Sequence, residues 1–194
     1  MVGFIFFPKS PRNVTPATAA ALAEGARGRA AITAVTVDAN DAALSEIVAK
    51  LRPDLLQLHG RETPERIAEL RAKFGVPVMK VIGIAKPDDL DAVATYSTAD
   101  RILLETKPPP GATLPGGNGV PFDWRMLAGF AAAAPLMLSG GLDLGNVAEA
   151  IRIAKPSGID VSSGVESAPG LKDEEKIRAF IRAARLVSGK GQGE

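Results

Sequence analysis

Two segments in the C-terminal half combine glycine with small hydroxyl residues directly after apolar runs. They are Leu138-Ser139-Gly140-Gly141 and Asp160-Val161-Ser162-Ser163-Gly164-Val165-Glu166. Small residues there leave backbone N–H groups open to an anion. One Gly-Gly pair is a weak signal, since tight turns use glycine for its dihedrals alone. Two such loops in succession favour a phosphate site formed by Gly140, Gly141, Ser163 and Gly164, with Asp160 beside it. Upstream, Leu103-Leu104-Glu105-Thr106 sets a carboxylate against apolar core residues, which makes Glu105 a candidate general acid or base. A rim acid paired with Lys107 or another cation satisfies the same pattern equally well. His59, in Gln57-Leu58-His59-Gly60, is the only histidine. It could position substrate or shuttle a proton, and a polar rim residue bonded to backbone is an equal alternative. In Phe7-Pro8-Lys9-Ser10-Pro11-Arg12, two prolines stiffen a loop whose Arg12 offers a planar fork to a carboxylate or phosphate. Local sequence alone favours a solvated basic loop.

These residues need elements to hold them. Short apolar runs at 2–6, 31–37, 54–58, 76–82, 101–104, 136–138 and 159–161 alternate with amphipathic stretches. The stretches fall at 15–27, 41–51, 63–74, 87–96, 123–132, 143–153 and 173–187. Thr15-Pro16 and Thr63-Pro64 each place a capping hydroxyl before a proline of the first helical turn, and Asp123, Asp143 and Asp173 can cap the last three helices. Runs that are apolar throughout, rather than alternating, fit strands covered on both faces. Successive βα units predict a parallel α/β architecture. In a barrel of such units the working groups lie at the C-terminal strand ends, with a phosphate site after the last two strands. The longest irregular segment, 107–121, contains Gly116-Gly117-Asn118-Gly119 and reads as a lid or a surface loop. Trp124 reads as packing, and the alanines at 131–134 as helix surface.

Composition narrows the chemistry. With 194 residues, 46% of them apolar, one domain over 1–187 is expected, followed by a flexible tail at 188–194. Lys and Arg number 23 against 22 Asp and Glu, so an extended basic face for nucleic acid is not expected. Cysteine is absent and histidine single, which argues against a zinc site and excludes disulfides. Neither a membrane span nor a secretory signal is expected, which leaves a cytoplasmic protein.

The segments Gly3-Phe4-Ile5-Phe6-Phe7-Pro8-Lys9-Ser10-Pro11-Arg12, Leu56-Gln57-Leu58-His59-Gly60, Pro115-Gly116-Gly117-Asn118-Gly119 with Phe122-Asp123-Trp124, Leu138-Ser139-Gly140-Gly141-Leu142 with Asn146-Val147, and Gly158 through Glu166 run the whole length in order. Together they resemble the phosphoribosylanthranilate isomerase family of tryptophan biosynthesis. The resemblance implies a (β/α)8 barrel, and an Amadori rearrangement of N-(5-phosphoribosyl)anthranilate without cofactor or metal. It implies Glu105 at the position of the family's acid, an aspartate. It also implies Arg12 on the anthranilate carboxylate, with His59 and Asp160 as further substrate contacts. The match begins at the family's second strand. The family's first strand and helix, with the Lys-x-Cys-Gly cysteine that acts as base, have no counterpart here, so seven βα units are expected. Met1 is then expected to be an internal methionine of a longer barrel. The alternative readings are a shortened homologue that binds phosphate without turnover, and an interaction protein that keeps the barrel's ligand site. The expected partner is a small phosphorylated substrate, with neither nucleic acid nor membrane, and the expected assembly a monomer or homodimer.

Overall fold

A computed structural model describes residues 1–108, 111, 116 and 121–189. The apolar runs become strands, in the order β1 (Val2–Phe6), β2 (Ile32–Thr36), β3 (Leu55–Leu58), β4 (Val78–Ile84), β5 (Arg101–Thr106), β6 (Leu136–Leu138) and β7 (Gly158–Ile159). All seven belong to one sheet whose strand order is the chain order. β1–β2, β2–β3, β3–β4 and β6–β7 pair in parallel. Every residue of β2 and β3 is buried, as continuous apolar runs require. The helices are α1 (Pro16–Ala23), α2 (Asp41–Leu51), α3 (Pro64–Phe74), α4 (Asp91–Thr95), α5 (Val147–Ala154) and α6 (Glu174–Val187). Among the described residues, no helix is long and apolar enough to cross a membrane.

The chain divides into two compact units. The first is Met1–Val81 with Thr95–Ile102, and the second is Ile82–Ala94 with Leu103–Glu194. In the first unit, α2 seats Leu44, Ile47 and Leu51, and α3 seats Ile67 and Leu70. The Thr15 and Thr63 hydroxyls accept the amides of Thr18 and Arg66 at 3.1 and 3.3 Å, so both expected caps form. In the second unit, Asp173 caps α6 by accepting the Lys176 amide at 3.0 Å. α6 buries Phe180 and Ala184.

Several expectations need correction. The stretch 123–132 is not a helix. It makes one 3-10 turn, Trp124–Leu127, capped by Asp123, and Gly129 then takes the left-handed conformation at φ 77°. The alanines at 131–134 are therefore not helix surface; three of them line a cavity of about 300 Å³ with Phe130, Leu104 and Lys155. Asp143 does not cap α5, which starts four residues later. Its carboxylate instead takes the amides of Gly145 and Asn146 at 2.8 and 3.1 Å, a local turn that competes with the helix. α1 stops at Ala23 rather than 27, β4 runs two residues later than the apolar run suggested, and β7 has only two residues. A short antiparallel hairpin, β8 (Glu166–Ala168) and β9 (Leu171–Lys172), precedes α6 and was not foreseen. The expected Gly116–Gly119 lid falls largely outside the described residues, as does most of the 188–194 tail.

Candidate active site

In the second unit, the C-terminal ends of β5, β6 and β7 converge. Glu105 is the penultimate residue of β5, and its side chain is buried. The Ser139 amide donates to the Leu104 carbonyl at 2.8 Å, which sets the Ser139 loop beside Glu105. The Asp160 amide donates to Leu138 O at 2.8 Å, and the Ser139 hydroxyl donates to Asp160 Oδ2 at 3.1 Å. Lys107, named above as one alternative partner for Glu105, pairs with Asp89 at 3.1 Å.

The glycines in these loops answer to contact as well as dihedral. Gly140 adopts φ 86°, and a Cβ there would stand 2.5 Å from the Thr106 amide nitrogen. Gly141 adopts φ 63°. Gly164 lies so close to the loop after β6 that a Cβ would meet Leu142 O at 1.9 Å. Only a residue without a side chain permits these approaches. Asn146 Nδ2 donates to the Gly141 carbonyl at 2.8 Å and fixes the first loop from below. Ser163 and Gly164 open a 3-10 turn, Ser163–Val165. Among the described residues, the amides of Gly140, Gly141, Ser163 and Gly164 donate to no protein acceptor. The two loops lie against each other, Gly164 on Leu142, and such unbonded amides are the kind of donor that an anion can use. Lys172 braces the second loop through Ser162 O at 2.7 Å and Glu166 Oε1 at 2.8 Å.

Arg12 and His59 belong to the first unit. Arg12 follows β1, half-buried, in a loop where its amide donates to Ser10 Oγ at 3.1 Å. His59 follows β3, half-buried, and its amide donates to Thr36 O at 2.8 Å. Sequence reading missed the charges next to it. Glu62 and Lys80 form an ion pair at 2.8 Å with side chains 6% and 3% exposed. Lys80 interrupts an apolar strand run, and a lysine in such a run implies a buried partner; that was the available signal.

Residues 1–183 match the family model described as N-(5'-phosphoribosyl)anthranilate (PRA) isomerase. The N-(5'-phosphoribosyl)anthranilate isomerase of Mesorhizobium japonicum is 58% identical over 187 residues, covering 96% of this chain and 85% of that protein. The crystal structure of phosphoribosyl anthranilate isomerase from Thermotoga maritima is similar at a TM-score of 0.84 and 32% identity, covering 95% of this chain and 87% of that one. Another solved phosphoribosyl anthranilate isomerase, in complex with reduced 1-(o-carboxyphenylamino)-1-deoxyribulose 5-phosphate, is similar at a TM-score of 0.81 and 30% identity over 95% and 87% of the two chains.

Proposed function

This chain belongs to the N-(5'-phosphoribosyl)anthranilate isomerase family, and from that premise we propose how its residues divide the reaction. The 194 residues correspond to seven of the βα units of the family's (β/α)8 barrel. The substrate's 5'-phosphate binds the amides of Gly140, Gly141, Ser163 and Gly164. Asp160, steadied by Ser139, orients the ribose. Arg12 holds the anthranilate carboxylate through its planar fork, and His59 contacts the substrate from the end of β3. Glu105 is the general acid. It gives its proton to the furanose ring oxygen as the C1–O bond opens, leaving a Schiff base between C1 and the anthranilate nitrogen. Loss of the C2 proton then yields the enol form of the 1-deoxyribulose product. The cysteine that takes this proton in the family has no counterpart among the 194 residues, which contain no cysteine.

One observation carries this reading. The buried Glu105 stands one strand from a loop whose amides are open, and Gly140 touches the next residue, Thr106, at a distance no side chain permits. A carboxyl and a phosphate cradle so placed can engage two ends of one sugar phosphate. The test separates proton donation from binding. Glu105→Gln should retain binding of the reduced product by calorimetry, while turnover followed by phosphoribosylanthranilate fluorescence falls by about 10²–10⁴. Glu105→Asp, with the family's shorter reach, should raise turnover. Unchanged turnover in Glu105→Gln would place the donor elsewhere.

A further inference from the structure

We propose that the buried Glu62–Lys80 pair is a positioning device that fixes the backbone on both sides of His59 and so sets its imidazole for the substrate. The proposal rests on the substrate-contact role given to His59 above.

Lys80 lies in β4, in register with Leu58 of β3. Its ammonium has three hydrogens, and each has an acceptor: Leu58 O at 3.3 Å, Gly60 O at 2.5 Å and Glu62 Oε2 at 2.8 Å. The Glu62 carboxylate completes the set. Its Oε2 accepts the Gly60 amide at 2.9 Å, and its Oε1 accepts the Asp38 amide at 3.0 Å. The carbonyl before His59, and both the amide and the carbonyl after it, therefore bond to this one pair. The amide of His59 itself is held by Thr36 O. The backbone of the loop therefore has little freedom left.

Two further contacts tie the device to the loop after β2. Asp38 takes a left-handed φ of 48°, and its Oδ1 accepts the Arg61 amide at 2.6 Å. Gly60 sits against Asp38 so closely that a Cβ would meet its Oδ1 at 2.3 Å. On the other side, the Tyr96 ring lies 5.7 Å from Lys80 Nζ, a cation–π contact. Burial first, and then the charges of Glu62 and Glu65, push the Tyr96 phenol above its ordinary pKa, so it stays neutral there.

A buried ion pair is seldom the most stable filling of a core, because desolvating two charges offsets much of their attraction. Apolar side chains of the same volume would pack. They would leave Leu58 O, Gly60 N, Gly60 O and Asp38 N without the partners they have now. The pair serves these four backbone groups, and three of the four flank His59.

The single histidine makes the test direct, since the chain gives one imidazole signal in a carbon–proton NMR spectrum. The probe is reduced 1-(o-carboxyphenylamino)-1-deoxyribulose 5-phosphate. In the unaltered chain, the His59 signal should move when the probe is added. The double variant Glu62→Gln/Lys80→Met removes both charges and should stay folded by circular dichroism. Its His59 signal should be displaced or split before any ligand is added, and its probe affinity should fall about tenfold or more. A merely structural pair would instead leave a folded double variant with the original His59 signal and affinity, and that outcome overturns the proposal. Should the double variant fail to fold, Glu62→Gln alone keeps the side-chain shape and the acceptor for Asp38. It loses the one for Gly60, so its His59 signal should broaden or split, and an unaltered signal would overturn the proposal equally. If the probe binds the unaltered chain without moving the His59 signal, the contact role of His59 fails instead, and the positioning role falls with it.

Discussion

Both units hold a strand-end loop with a carboxylate that accepts two loop amides and one lysine, yet the lysine is buried in one and exposed in the other. In the first, Glu62 takes Asp38 N, Gly60 N and Lys80, and both side chains of the ion pair are shut away from water. In the second, Asp89 takes Ala85 N at 2.8 Å, Lys86 N at 3.0 Å and Lys107 at 3.1 Å, but Lys107 is 54% exposed. The loops of the second unit that would meet phosphate rely instead on glycines at contact distance, Gly140 and Gly164. The difference separates two ways of fixing a loop. Buried charge fixes it through partners that cannot be removed singly. Missing side-chain volume fixes it through space that cannot be filled.

The largest effect should follow from removing one buried charge. Lys80→Met leaves Glu62 uncompensated and should cost about 3–5 kcal/mol in urea unfolding. The matching change at the counterpart pair of the second unit, Lys107→Met, should cost under about 1 kcal/mol, because that ammonium is 54% exposed. Adding Glu62→Gln to Lys80→Met should recover part of the loss, so the double-variant cycle should be strongly non-additive. Equal costs at Lys80 and Lys107 would erase the distinction between the units.

Filling the glycine contacts comes next. Gly164→Ala and Gly140→Ala each force a methyl into backbone, and should cost about 1–3 kcal/mol or more. Either should also weaken binding of the reduced product, measured by calorimetry. Gly75→Ala is the control. It has the left-handed φ of 62° at the end of α3 but open space around it. It should cost only the strain of that conformation, about 1 kcal/mol, and leave binding alone. If Gly75→Ala and Gly140→Ala cost the same, dihedral freedom rather than contact explains both glycines.

The legible parts of the chain were those with one local cause. β1, β6 and α2 fall where their apolar patterns put them, and Thr15, Thr63 and Asp173 cap as their types dictate. The positions of the loops after β5, β6 and β7 were also legible, because each opens where an apolar run ends. Expectation failed where two local causes compete. Asp143 could cap a helix or close its own turn, and the turn won. The stretch 123–132 has helical composition, but it stops at the turn Trp124–Leu127, where Ala128 is extended and Gly129 takes a left-handed φ. Glu62 and Lys80 are 18 residues apart, and no periodicity joins them; only the strand register brings them together. A charge in a buried strand says that a partner exists without saying which.

The smallest effect is a dependence on pH at the counterpart whose lysine is exposed. The Asp89 carboxyl is held below the ordinary carboxylate range, first by the Ala85 amide and then by the Lys86 amide and Lys107, against the opposing pull of burial. Its pKa is thus lower folded than unfolded, where it lies near about 4. A depressed carboxylate stabilises the fold fully above the unfolded value, and that contribution disappears as pH falls through the folded one. Asp89→Asn should therefore lower stability at pH 7 by about 1 kcal/mol, the scale of a lost hydrogen bond to a loop. The gap to the unaltered chain should close as the pH drops below about 4, because protonated Asp89 has by then lost the same advantage. Urea midpoints at pH 7 and pH 3 for the two proteins measure this. A gap that stays constant with pH would mean that the Asp89 side chain acts through shape alone, and the likeness between the two units would end at geometry.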